Sequence, residues 1–230
     1  MDSVIPMNET TMTTPPTLSS TPPLTLTVIG GSRGTGRAVV DMAHAAGHRV
    51  RLLARSTPDG DLDGIQVIQG DAQDPVAVRE AVRGADAVII ALGGQPSDRT
   101  RPRTQGTLAT IDAMRAEGVD RVVALSVLGA GDSGRNVDWF TRHIVLDLWL
   151  RHPVADHESQ EAALQASGLD WTAVRPPHLT DGPRSDAVHV GFPTDARPPA
   201  MKVSRADVAA LLIGCALDGA HSRSAVGIAG

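Results

Sequence analysis

The seven residues Gly30-Gly31-Ser32-Arg33-Gly34-Thr35-Gly36 are the stretch of this sequence best suited to chemistry. Glycines let a backbone turn tightly and let a phosphate approach the main chain. A helix beginning at such a turn adds unpaired N–H groups and a partial positive charge. Gly30, Gly34 and Gly36 give the spacing Gly-x-x-x-Gly-x-Gly, with Ser32, Arg33 and Thr35 inside the turn. No Gly-Lys-Ser/Thr follows, which excludes a Walker-type nucleotide loop. Leu26, Val28 and Ile29 before the turn form an apolar run short enough for a buried strand. Arg37–Ala46 after it carries apolar residues at helical spacing, and Gly47 stands where a helix would stop. Strand, glycine turn and helix together are the context that holds a dinucleotide pyrophosphate.

Other candidate residues fall at the ends of later strands. His48–Ala54 reads as a second strand ending in Ala54-Arg55-Ser56. A carboxylate there would bind a ribose 2′-hydroxyl and repel a 2′-phosphate, whereas Arg55 binds the phosphate through a charged fork. Arg33 reaches the same group, so NADPH is favoured over NADH. Asp71, followed by Ala72, ends the third strand, either as acceptor for an adenine amino group or as a turn residue. Ala91, Leu92 and Gly93 leave the fourth strand and are expected against the nicotinamide, with Ser126 after the fifth and Pro176-Pro177 after the sixth. His178 follows the prolines. With an ordinary pKa of about 6.5, it is a candidate to orient an acceptor or relay a proton. Ser126 is the second catalytic candidate. The eight histidines are scattered without ligand spacing, so no metal site is expected.

These residues require a scaffold that brings strand ends to one edge. Strands are expected at Ile65–Ile68, Ala85–Leu92, Arg121–Leu125 and Asp170–Val174, with an edge strand at Ala225–Ile228. Helices are expected from Asp74-Pro75 to Arg83, Gln105 to Glu117, Asp156 to Ser167 and Ser204 to about Leu217. Asp74 and Ser204 are natural N-caps, the latter in a Ser-x-x-Asp variant of the capping box. The alternation implies an α/β class: a Rossmann-like doubly wound parallel sheet in three α/β/α layers. The almost wholly apolar Ala85–Leu92 suits a central strand covered on both faces. Val137–Leu150, with Trp139, Phe140, Ile144, Val145, Leu148 and Trp149, is too apolar for a free surface helix. It reads as sheet-edge packing or a wall of the substrate pocket, ended by His152-Pro153. Thr180–Pro199 is a long Gly/Pro/Asp/Arg loop of the lid type. The tetrad Gly131-Asp132-Ser133-Gly134 also surrounds a serine-protease nucleophile, but that chemistry needs an antiparallel double barrel.

At 230 residues, one domain over 24–230 behind a Thr/Pro-rich disordered tail over 1–23 is the expected division. A net charge of −5 gives no basic field for nucleic acid or anionic membrane. Residues 1–23 lack the basic and apolar regions of a secretory signal, so a cytoplasmic monomer or homodimer is expected. The single cysteine, Cys215, sits in an apolar helical stretch and reads as a core residue. The chain has no tyrosine.

Val28–Val40 resembles the cofactor signature of the short-chain dehydrogenase/reductase superfamily. Members of that superfamily usually work with Tyr-x-x-x-Lys. The following Lys-x-x-x-Glu-x-x-Leu spacing is matched here by His157, Glu161 and Leu164, which puts His157 at the lysine and Pro153 at the tyrosine. Lys202 is the only lysine, far along the chain. His157 reads as structural, pairing near Asp156 or capping a helix. A closer resemblance is to the atypical NAD(P)H-binding group containing flavin reductase (biliverdin-IXβ reductase) and the NmrA-like proteins. Asp156-His157, Ser167-Gly168-Leu169, Arg175-Pro176-Pro177-His178 and Ser204-Arg205-Ala206-Asp207-Val208 carry it, over Leu24 to the C-terminus. The resemblance implies NADPH-dependent hydride transfer to a planar flavin, quinone or tetrapyrrole-like acceptor without a Tyr/Lys pair. Flavin reductase has a serine beside the nicotinamide and a histidine after the proline pair. His178 matches the histidine, and Ser126 matches the serine with a one-residue shift that otherwise puts Val127 there. The NmrA-like alternative is a non-catalytic NADP(H) sensor acting through partners.

Overall fold

A computed structural model describes residues 22–60, 62–95, 97–136, 151–185, 187–192 and 198–230. The apolar segment at 137–150 and nearly all of the expected tail therefore lie outside the described residues.

Strand and helix alternate as the apolar pattern requires. In chain order they are β1 (Thr25–Ile29), α1 (Gly34–Ala45), β2 (Arg49–Ala54), β3 (Ile65–Gln69), α2 (Pro75–Val82), β4 (Ala87–Ile90), α3 (Pro102–Glu117), β5 (Arg121–Leu125), α4 (Arg151–Ala166) and β6 (Asp170–Arg175). Then come β7 (His178–Thr180), β8 (His189–Val190), β9 (Lys202–Ser204), α5 (Arg205–Asp218) and β10 (Ser224–Ala229). The main sheet has the order β3-β2-β1-β4-β5-β6-β10-β8, parallel except for β8, and β7 pairs with β9 apart from it.

Period-two alternation sorts the strands between two cores. Val28 pairs in register with Leu52 and Ile89, and all three join Val39, Val40, Val208 and Leu212 under α1 and α5. Their successors Ile29, Leu53 and Ile90 point the other way, onto Val78, Ile111, Met114 and Leu164 of α2, α3 and α4. Burial on both faces explains why β4 reads as a continuous apolar run. The result is the expected three-layer α/β/α Rossmann-like fold. Among the described residues no helix is long and apolar enough to cross a membrane.

Several boundaries differ from expectation. Helix α1 begins at Gly34, a turn earlier than its apolar spacing suggests, so Gly34 and Gly36 lie inside its first turn. Helix α3 begins at Pro102, where a proline costs little because the first N–H groups have no helical acceptor. His152-Pro153 does not end a helix: α4 runs through it from Arg151. Both expected caps form, with Asp74 accepting from the Val76 N–H and Ser204 from the Asp207 N–H. The Ser204 hydroxyl also donates to Asp207 Oδ2, in place of the backbone bond that would close a capping box. Strand β10 is not the edge. It pairs with β6 on one side, and the two-residue β8 covers Ile228 and Ala229 on the other. The Gly191 N–H donates to the Gly227 carbonyl, and the Phe192 ring lies over Gly227, where a Cβ would come within 2.4 Å of Cζ.

Candidate active site

The carboxyl ends of β1 to β6 open into one cleft of about 820 Å³. Ligands of doubly wound sheets bind along this edge, where the strand order reverses around β1. At about 4.8 Å per strand, the six ends from β3 to β6 span about 24 Å, room for an extended dinucleotide.

The glycine turn supplies the middle of the floor. Gly30 holds φ +92°, and a Cβ there would meet the Ala91 carbonyl at 2.9 Å. A Cβ on Gly36 would lie 2.4 Å from the Gly30 carbonyl. Both positions therefore demand glycine. Gly31 has a different part: it is buried behind the cleft, where a Cβ would strike Leu52 and Val40. Ser32, Arg33, Gly34, Thr35 and Gly36 line the cleft with Gly30. The Thr35 hydroxyl is buried without a hydrogen-bond partner. A buried donor left this way costs about 1–3 kcal/mol, and a phosphate oxygen over the turn would satisfy it. The residues thus fit a dinucleotide.

Beyond the β1 and β2 ends, Arg33 and Arg55 are exposed side chains of the lining. A third guanidinium joins them. Arg205 lies over Gly34, its Nε 3.6 Å from where a Cβ would sit, and is tied to Asp181 at 2.6 Å. Sequence reasoning missed it because it comes from the far end of the chain. Asp71 and Ala72 also line the cleft, and Asp71 Oδ1 accepts from the Gln73 N–H at 2.9 Å in a local turn.

Toward β4, β5 and β6 the wall is made by Ala91, Leu92, Gly93, Ser126, Val127, Pro176 and Pro177. Ser126 is 3% exposed, and its hydroxyl donates to Glu161 Oε1 at 2.5 Å. Glu161 in turn takes Arg175 Nε at 3.0 Å and Nη2 at 2.6 Å, while Arg175 Nη1 reaches Asp132 at 2.5 Å. That guanidinium holds the Asp132 carboxyl below the usual carboxylate range, through its hydrogen bond first. The Ser126 proton is therefore committed to Glu161, and the hydroxyl meets the cleft through its remaining lone pairs.

The two histidines exchange places relative to expectation. His178 is exposed on β7 and lies outside the cleft lining, although its neighbours Pro177 and Leu179 belong to it. His157 is 8% exposed and does line the cleft. Its Nδ1 lies 3.3 Å from Gln160 Oε1, and Gln160 Nε2 donates to Thr107 Oγ1 at 3.1 Å. The amide orientation makes Nδ1 the donor and leaves Nε2 as an acceptor. Its partner is thus Gln160 and not Asp156, which instead caps α3 by accepting from the N–H groups of Arg103 and Thr104.

Burial, and then the charge of Arg103, push the His157 pKa down from 6.5 to about 3. Above pH 6.5 both folded and unfolded chains carry it neutral, and it contributes nothing to pH dependence. As the pH falls from 6.5 toward about 3, only the unfolded chain takes up the proton, so stability is lost. At pH 5 the loss is about 2 kcal/mol. His48 and His221 are shifted the same way by burial. Urea unfolding at pH 7.5 and pH 5 is expected to show this acid weakening, and His157→Gln to remove the larger part of it. An unchanged pH slope in that variant would contradict the assignment.

The chain matches the family described as NAD(P)H-binding over residues 30–218. It is 30% identical over 214 residues to the (4-alkanoyl-5-oxo-2,5-dihydrofuran-3-yl)methyl phosphate reductase of Streptomyces griseus, covering 88% of this chain and 67% of that enzyme. Among solved structures, the anaerobillin reductase ChuY of Escherichia coli O157:H7 superposes with a TM-score of 0.72 at 24% identity, over 89% of this chain and 96% of that one. A short-chain dehydrogenase/reductase of Veillonella parvula in complex with NADP does so with a TM-score of 0.71 at 19% identity, over 90% and 94%. At these identities the two structures show the fold.

Proposed function

This chain belongs to the NAD(P)H-binding family, and from that premise we propose that it is an NADPH-dependent reductase of a planar conjugated acceptor: a flavin, quinone or tetrapyrrole-like compound. The observation that carries this reading is the absence of a proton-donating side chain in the described wall around Ser126. Tyrosine is missing from the chain, the Ser126 proton is held by Glu161, and His157 is neutral down to about pH 3. A conjugated acceptor that takes its proton from solvent suits such a wall; an isolated carbonyl does not.

Bound reduced nicotinamide supplies a hydride. The glycine turn and the Thr35 hydroxyl would hold the pyrophosphate, Arg33 and Arg55 the 2′-phosphate with Arg205 beside them, and the Asp71-Ala72 edge the adenine. Ala91–Gly93, Ser126 and Pro176-Pro177 would flank the nicotinamide. Pro176 is fixed by its carbonyl, which accepts from the Leu128 N–H at 2.8 Å. A rigid wall of this kind aligns two flat rings, and alignment is the larger part of lowering a hydride-transfer barrier. His178 stays a candidate relay only through movement of β7, and His178→Ala is included in the test for that reason.

The test is loss of reduced-nicotinamide absorbance with NADPH or NADH and a panel of FMN, riboflavin, a quinone and a bilin. Turnover of at least one acceptor, with NADPH preferred, is expected. Tight NADP binding with no turnover across the panel would overturn the reductase reading in favour of a sensor. Loss of turnover in His178→Ala at unchanged NADPH affinity would assign the relay to that imidazole.

A further inference from the structure

Arg103 lines the cleft with a largely buried guanidinium that is only partly bonded. It lies at the start of α3 with 11% of its side chain exposed. Among the described residues the guanidinium bonds through Nη1 to Asp156 Oδ2 at 3.3 Å, and Nε is buried with no partner. The guanidinium edge formed by Nε and Nη2 is the one that grips an oxyanion with two parallel bonds. Here that edge is unspent.

The nearby carboxylates do not compete for it. Asp156 is already occupied by the N–H groups of Arg103 and Thr104 at 3.1 and 3.0 Å and by the Thr104 hydroxyl at 2.7 Å. Asp98 Oδ1 accepts from the Thr100 N–H at 2.8 Å and the Thr100 hydroxyl at 2.6 Å. Space for the guanidinium comes from Gly94, where a Cβ would lie 2.8 Å from Nη1. Arg103 is tied to Asp156 of α4, and Glu161 of the same helix holds the Ser126 hydroxyl, so Arg103 belongs to the α4 flank of the cleft with Ser126.

We propose that Arg103 binds an anionic substituent of the acceptor, a phosphate or a carboxylate, and so selects charged planar acceptors over neutral ones. The proposal rests on the reductase reading and deepens it. A guanidinium–oxyanion pair in a partly desolvated wall is worth about tenfold to a hundredfold in affinity. The role belongs to the acceptor end because the cofactor's 2′-phosphate has its own arginines three side chains deep at the β1 and β2 ends.

The experiment compares wild type, Arg103→Gln and Arg103→Lys. Its ligands are FMN against riboflavin, which differ by a phosphate, and a bilin against its dimethyl ester, which differ by carboxylate charge. Both KM and the Kd for NADP-loaded protein are measured. In wild type the charged member of at least one pair is expected to bind at least about tenfold tighter. Arg103→Gln is expected to abolish that preference and leave the neutral member within about twofold, with Arg103→Lys recovering part of it. The pair that responds identifies phosphate or carboxylate. Equal losses for charged and neutral members would overturn the proposal, as would a wild type indifferent to charge in both pairs. A fall in NADPH affinity larger than in acceptor affinity would reassign Arg103 to the cofactor and equally overturn it. Absence of turnover with every acceptor strikes the reductase reading alone, because the Kd comparison still decides whether Arg103 holds an anion.

Discussion

Exchange of Arg55 for aspartate is expected to raise the Kd for NADPH about a hundredfold while leaving that for NADH within about threefold. Two effects add. The variant loses a charged hydrogen-bonding fork, and it places a carboxylate against a phosphate that carries close to two negative charges. NADH has only a hydroxyl at that point, which a carboxylate accepts from readily. Arg33 and Arg205 remain, so NADPH binding is weakened and not abolished. Arg55 is exposed, so the discrimination is expected to shrink as salt is raised. Calorimetric titration of both coenzymes at low and high ionic strength tests it. Equal losses for the two would remove Arg55 from phosphate recognition and leave the glycine turn as the binding element.

Replacing Glu161 by leucine is expected to cost about 3–5 kcal/mol, lowering the thermal midpoint by about 10 °C. Arg175 is 5% exposed and Glu161 3%, so the variant strands two guanidinium donors away from water with Asp132 alone as a partner. The double variant Glu161→Leu/Arg175→Met is expected to recover most of the loss, since a buried ion pair is far costlier to break than to replace whole. Turnover should not recover with it, because Ser126 has lost the acceptor that fixes its hydroxyl. Thermal unfolding and kinetics on the three proteins separate the two consequences. A single variant as stable as wild type, or a double variant no better than the single, would show that the pair does not hold this end of the cleft.

The features legible in the sequence were those carried by local pattern. The short apolar runs of β1, β2 and β4, their alternation with helical spacing, and the glycine-rich turn gave the layers, the sheet edge and most of the floor. The start of α1 was misread because Gly34 and Gly36 have poor helix propensity, yet close approach of Gly36 to Gly30 requires glycine inside the first turn. Pro153 looks like a breaker, yet α4 runs through it. The side-chain partners were beyond reach. Asp156 meets Arg103 and Thr104 across more than fifty residues, and Arg205 crosses from α5 to Gly34. Nothing in local spacing announces such pairings. Nor does local spacing announce that His178 is exposed on β7 while His157 of α4 lines the cleft.

The far flank of the main sheet closes on a strand of two residues, held by its pairing with β10, by the Gly191–Gly227 backbone bond and by an aromatic ring that fits only because residue 227 lacks a side chain. Beneath this small clasp, β10 holds Val226, Ile228 and Ala229 at no more than 4% exposure. An uncovered strand of that composition is a template for another molecule's chain. Without the clasp, that edge would be open to pairing with another chain.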